Sequence, residues 1–275
     1  MSVNVLLVEV KLDAEVLGAI LAGRPVVKEA GPKNSLAPRT RVERRERRTC
    51  DVCYLRDRDF DHDPPTEPSR PQVDRTDDDG SVLGWRWCRH EIESYLIDPD
   101  PVANATGWDR DEYARALTSA AVRLRHYQVA RWAIGTVRRQ LLPPHHLRTR
   151  PDECGNVPYR LPGDLSQEAT ATWACEHAMR FRQHVEEGLS ARAVQIELES
   201  RRRAVTEELL ARPADALLWC SGKDLLAALD PWLVDHGARS AASFVAQVRD
   251  WVRSNPERAL GLFPEWLALS RIAAS

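Results

Sequence analysis

The sequence predicts an α/β fold, a mainly parallel sheet flanked by helices and carrying a helical insertion. Three observations lead there. Short β-branched runs alternate with helical stripes over the first hundred residues, the sequence signature of strand–helix units. From about Trp108 to Arg212 the periodicity becomes that of long helices. Acids also stand where several of the strands end, and in open parallel sheets that edge is where ligands bind.

Val3 to Val8 reads as a first strand buried on both faces and ending at Glu9. Val16, Leu17, Ile20 and Leu21 then form a helical stripe, with Asp13 suited to its N-terminal turn. Val26-Val27 before Gly31-Pro32 predicts a second strand and turn, and the segment from Pro38 to Arg48 a polar second helix. Val52 to Leu55 is the third strand. The stretch from Asp63 to Gly80 has no periodicity and is expected to be an exposed, flexible loop over the acidic strand end. Ser81 to Cys88 is the fourth strand, followed by a turn and short helix through Ile97 and a stop at Asp98-Pro99.

Asp111 to Leu142 is expected to be one helix, stopped by Pro143-Pro144, and Phe181 to Ala211 a second one. His145, His146, Cys154 and Pro158 between them are too irregularly spaced for a metal site. Leu217 to Cys220 is an apolar run leading into Ser221-Gly222-Lys223 and a further helix. Ser240 to Val252 and Ala259 to Ile272 read as packing helices. The predicted organisation is a core over 1–105, a helical insertion over 106–216 and a C-terminal part of the core over 217–275.

With 275 residues and 43% hydrophobic content, a sizeable core is available. The formal net charge of -2 gives no global argument for a polyanion partner, but arginines gather locally, at Arg41 to Arg48 and at Arg201, Arg202 and Arg203. The latter three suit either a solvated helix face or a phosphate contact. Six irregularly spaced cysteines fit a reducing compartment. Cys50 and Cys53 lack a second pair, so burial beside the strand, not zinc, is expected of them. No signal peptide is expected, and no apolar run approaches the roughly 20 residues that span a bilayer. A cytoplasmic location without membrane contact is the expectation.

The third strand runs into Asp57, Asp59 and Asp61, which would share one face if the chain stayed extended. Like charges about 4 Å apart repel by roughly 4 kcal/mol at an effective dielectric near 20, a cost that a divalent cation removes. Carboxylates suit Mg²⁺ or Mn²⁺. Glu9 and one of Glu91 or Glu93 stand at other strand ends and are expected to converge on the same crevice. Gly222-Lys223 before a helix is suited to an oxyanion contact, although Leu217 stands where a Walker A loop needs its first glycine.

In order, these pieces resemble the Toprim nucleases of the overcoming-lysogenisation-defect class and their single-domain relatives. The similar segments are Val8-Glu9-Val10-Lys11-Leu12-Asp13, Asp57-Arg58-Asp59, His90-Glu91-Ile92-Glu93-Ser94-Tyr95-Leu96 and Gly222-Lys223. Val10 departs from the pattern, which has glycine there. The resemblance implies a Toprim-like core and two Mg²⁺ or Mn²⁺ ions. Glu9 and Asp13 would serve one ion and Asp57 and Asp59 the other or a bridging position, with Glu93 completing the shell; Asp61 and Glu91 are additional candidates. Lys223 would neutralise charge in the transition state.

The implied activity is endonucleolytic hydrolysis of phosphodiester bonds in an anti-phage defence role. DNA is slightly favoured over RNA or tRNA, and Arg201, Arg202 and Arg203 are candidate nucleic-acid contacts. An ABC-type ATPase would be a separate partner, since the chain has no ATPase motif, and a homodimer is compatible with the family. The alternatives are an inactive Toprim scaffold that binds nucleic acid or a partner, and an α/β protein whose acids are solvated loop ends.

Overall fold

The computed structural model describes residues 3–140, 164 and 166–274. His145, His146, Cys154, Pro158 and the Pro143-Pro144 stop lie outside them. The chain is α/β, with a mostly parallel five-stranded sheet flanked by helices. Its strands are β1 (Val5–Val8), β2 (Val26–Glu29), β3 (Val52–Arg56), β4 (Gln72–Thr76) and β5 (Val82–Arg86), in the order β2-β1-β3-β5-β4. β2, β1, β3 and β5 are parallel, and β4 runs antiparallel to β5 on the edge.

Two compact units are distinct, one of residues 3–128 and 205–274 and the other of residues 129–204. Residues 106–128 and 205–216, assigned to the insertion from sequence, belong to the first unit. The helix α5 (Arg110–Gln140) supplies the reason: its N-terminal half buries Tyr113, Leu117 and Ala121, and the Tyr113 hydroxyl donates to the Ile97 carbonyl at 3.0 Å.

In the first unit, every residue of β1 and β3 is buried, as expected of parallel strands covered on both faces. Val5, Leu7, Val52, Tyr54 and Leu83 pack with Leu36 and Ala37 of α2 (Lys33–Arg47). Tyr54 lies opposite Gly84 in register, and a Cβ on Gly84 would stand 2.4 Å from the Tyr54 ring; glycine is what lets the ring lie across β5.

The expected flexible loop over 63–80 contains β4, so that expectation is corrected. Alternation was obscured because β4 is a polar edge strand whose inward residue is an acid. Asp74, with a side chain only 3% exposed, faces Arg56, Arg86 and His62 and accepts from the Tyr54 hydroxyl. An inward charge of this kind also discourages edge-to-edge pairing with another sheet.

α1 (Lys11–Ile20) follows β1, and α3 (Glu93–Leu96) follows β5. α3 stops before Asp98-Pro99 as expected, and the same pair starts α4 (Pro99–Thr106): Asp98 caps it by accepting from the Asp100 N–H, and proline occupies the first turn, where no donor is needed. The expected single helix over 181–211 is three: α6 (Gln167–Gly188), α7 (Ala191–Ala204) and α8 (Glu207–Leu210). Ser190 and Thr206 break it, because each hydroxyl accepts from the backbone N–H three residues on. The apolar run at 217–220 belongs to α9 (Pro213–Trp219), which leads into α10 (Gly222–Asp235). α11 (Ala241–Ser254) is as expected, and Pro264 divides the last segment into α12 (Pro256–Leu262) and α13 (Pro264–Ala274). Among the described residues no helix is long and apolar enough to cross a membrane.

Candidate functional site

β1, β3 and β5 are parallel, so their C-terminal ends share one edge of the sheet. Glu9 leaves β1 there, Asp57 leaves β3, and Glu91 follows β5 before Glu93 opens α3. Asp13 in the first turn of α1 and Lys223 in the first turn of α10 come to the same edge.

Hydrogen bonds fix these positions. The Asp57 N–H donates to Glu9 Oε1 at 2.9 Å and ties the exit of β3 to that of β1. Arg58 and Asp59 donate their N–H groups to the His90 carbonyl at 2.9 and 3.2 Å, which ties β3 to the segment carrying Glu91. The Arg58 side chain is fully buried and donates to the carbonyls of Cys88, His62 and Leu218, joining the ends of β3, β5 and α9. Glu91 Oε1 accepts from the Ser221 hydroxyl at 2.8 Å and from the Lys223 N–H at 2.9 Å, so it docks the N-terminus of α10. Lys223 Nζ stands 3.7 Å from Glu93 Oε1.

Charge is concentrated here beyond what these contacts balance. Burial, opposed by the Val10 N–H that its Oδ2 accepts, and reinforced by the charges of Glu93 and Glu9, raises Asp13 to about 7. Burial, with the charges of Asp13, Glu9, Asp59 and Glu91, raises Asp57 well above the ordinary carboxylate range. Burial likewise raises Glu9 and Glu91. Lys223 goes the other way: burial would lower it, but Glu93, Glu91, Asp57 and Asp59 together hold it above its ordinary value. Asp13 Oδ1 and Asp57 Oδ1 are buried without a hydrogen-bond partner.

The shared face expected of Asp57, Asp59 and Asp61 does not exist. β3 ends at Arg56 and Asp59 takes φ +49°, so the chain turns instead of remaining extended. Asp57 points into the acid cluster, while Lys33 Nζ, at the first position of α2, holds Asp59 at 2.5 Å and Asp61 at 2.6 Å. Arg56 also meets Asp61, at 2.6 Å. Sequence reasoning missed Lys33; its signal is its place at the start of the helix that follows the parallel strand β2, at the same sheet edge as Glu9 and Asp57.

Val10 is exposed with extended backbone (φ −132°), a conformation open to any residue, so its site does not require glycine. Cys53 is buried and its sulfur meets Arg44 Nη2 at 3.2 Å, whereas Cys50 is exposed, contrary to the burial expected of both. Arg201, Arg202 and Arg203 lie at the end of α7 in the second unit. There Arg201 packs over Trp132, with its guanidinium carbon 5.6 Å from the ring centroid, and donates to Thr136, while Arg202 and Arg203 are exposed.

The donor set fits a hard divalent cation chemically: several carboxylates, two of them with buried oxygens lacking any donor, beside one lysine. As they stand, no group of three or more His, Cys, Asp or Glu side chains among the described residues is arranged to hold an ion. The side chains would have to draw together, and release of Asp59 from Lys33 is the evident adjustment.

Gly222 sets the distance between α10 and α3. A Cβ there would lie 2.6 Å from the Ser94 backbone nitrogen, 2.8 Å from its Oγ and 3.0 Å from the Glu93 carbonyl carbon. Because backbone must shift to admit it, Gly222→Ala is expected to destabilise the protein by about 1–3 kcal/mol, read as an earlier urea midpoint with an unchanged slope. No protein-family model matches the chain, and no curated protein matches it in sequence.

Proposed function

We propose that the chain is a divalent-metal-dependent endonuclease with a Toprim-like core, hydrolysing phosphodiester bonds of DNA or RNA. The observation that carries this reading is the pair of buried carboxylates, Asp13 and Asp57, whose unpartnered oxygens share a strand-end edge with Glu9, Glu93 and Lys223. A merely structural acid would be hydrogen-bonded or solvated, since an uncompensated buried carboxylate is costly.

Glu9, Asp13 and Asp57 would hold Mg²⁺ or Mn²⁺, with Glu93 and a released Asp59 completing the set. Such an ion, when bound, supplies an activated water and counter-charge for phosphate oxygens. Lys223, already drawn toward the site by four carboxylates, is placed to balance the charge that develops on a phosphate. Glu91 positions it through the backbone of α10. Anti-phage defence and a separate ABC-type ATPase partner belong to the same proposal.

A second reading, an inactive scaffold that binds nucleic acid, is favoured by one observation: Lys33 engages Asp59 closely and competes with any cation there.

The deciding experiment incubates the purified protein with supercoiled plasmid, linear DNA and total tRNA in Mg²⁺, Mn²⁺ or EDTA, beside an Asp57→Ala/Asp59→Ala variant. Metal-dependent cutting absent from the variant supports the nuclease and identifies its substrate; binding without cutting of any substrate supports the scaffold. Within the nuclease reading, Lys223→Met should lower the single-turnover cleavage rate by about 10²–10³ while leaving the fold intact by circular dichroism.

A further inference from the structure

A hollow of about 470 Å³ opens at the C-terminal end of α2, lined by Arg41, Arg44, Arg45, Arg48, Asp77 and Asp78, with Thr49 and Cys50 at its floor. Thr49 and Cys50 precede β3, and Asp77 and Asp78 precede β5, so the hollow sits at the N-terminal edge of the sheet. The five residues of β3 separate it from the acid cluster by about 17 Å along the strand.

Its arginines do different things. Arg44 is buried, donating to the carbonyls of Val52 and Val82 and to Ser81, and it forms part of the wall. Arg41 Nε meets Asp77 at 3.1 Å and spans from α2 to the β4–β5 turn. Arg45 and Arg48 are exposed and have no ion pair or side-chain hydrogen bond among the described residues.

Four guanidiniums against two carboxylates leave the hollow net positive. A cation at a helix C-terminus often serves only to complement the helix dipole. Arg44 and Arg47 occupy that last turn too, and Arg47 pairs with Glu43 at 3.3 Å, so the dipole does not explain two further guanidiniums left open over a cavity.

We propose that this hollow binds phosphate groups, at a site separate from the acid cluster. Planar guanidiniums match phosphate oxygens in paired hydrogen bonds. The lining offers no aromatic ring on which a base could stack, so recognition is of the phosphates and not of a base. Two sources present that chemistry, a free polyphosphate and the backbone of a single-stranded nucleic acid.

Arg45→Gln/Arg48→Gln tests this in the full chain. Fluorescence anisotropy of a labelled oligothymidylate and calorimetry with pyrophosphate are both run in EDTA, where the acid cluster repels phosphate. The variant should bind at least one ligand ten-fold or more weakly while keeping its urea midpoint, since neither side chain has a partner. For an oligonucleotide, loss of two contacts should flatten the plot of log affinity against log salt by about 1.4. Weakening for pyrophosphate alone assigns the site to a free phosphate ligand, and weakening for the oligonucleotide alone assigns it to nucleic acid. Equal binding by parent and variant, or no binding of either ligand by the parent, overturns the proposal.

Discussion

Under the proposed nuclease reading, Asp57→Asn is expected to do two opposite things: abolish metal-dependent cleavage and make the ion-free protein more stable. The activity loss should be on the order of 10³-fold or more, because the change removes a carboxylate charge from the centre of the donor set. The gain in stability follows from the surroundings. Asp57 is buried, its Oδ1 has no donor, and Asp13, Glu9, Asp59 and Glu91 all oppose its ionisation. A neutral amide of the same shape relieves that opposition, for a gain of roughly 1–3 kcal/mol at pH 8 in EDTA. Urea denaturation with and without Mg²⁺ measures both sides of the exchange: the parent should gain stability from Mg²⁺ and the variant should not. A destabilised variant in EDTA would mean that Asp57 serves the fold and not an ion.

The second large effect is pH dependence of the ion-free protein. Asp13 moves from an ordinary 3.8 to about 7, chiefly through burial, and Glu265 from 4.5 to about 7, again chiefly through burial. Glu265, buried in the first turn of α13, accepts from the Cys88 N–H at 2.8 Å and from the Tyr95 hydroxyl. Between pH 4 and 7 the folded state therefore binds more protons than the unfolded state, and stability falls as pH rises through that window. Each ten-fold change in proton affinity is worth about 1.4 kcal/mol, so the fall across this window is on the order of several kcal/mol. Two controls separate them. Under the proposed metal reading, Mg²⁺ should diminish the part that comes from Asp13 and its neighbours Glu9 and Asp57, and Glu265→Gln should remove the other. Unfolding free energies in EDTA that are flat from pH 5 to pH 8 would contradict both.

The sheet was legible where strands are buried on both faces, because β1 and the first four residues of β3 are continuous apolar runs. It was illegible at β4, whose inward position is Asp74 and whose stability depends on arginines from β3 and β5 that no local pattern announces. Helix starts hidden behind Asp98 and Ser190 share a cause: a short polar side chain accepts from a backbone N–H two residues on at Asp98 and three residues on at Ser190, a contact that leaves no hydrophobic period. In the candidate site, Glu9, Asp13, Asp57 and Lys223 could be collected from motif order and strand ends. The fate of Asp59 and Asp61 could not, since a positive φ and a lysine 26 residues earlier decide it. Glu91 and Glu93 are separated in role by contacts across 130 and more residues, beyond the reach of periodicity.

That separation bears on when the acid cluster is completed during synthesis of the chain. Glu91 accepts from the backbone of Lys223, 132 residues later in the chain. At about 5–20 residues per second, the ribosome exposes the acids of the first hundred residues for roughly ten seconds before their only nearby α10 cation exists. In that interval Lys33 can already pair with Asp59 and Asp61, but Glu93 lacks Lys223 and Glu91 lacks the α10 donors that set its place. Synthesis order thus acts as a delay: a chain cut short before α10 carries every acid of the cluster and lacks the cation that would complete it.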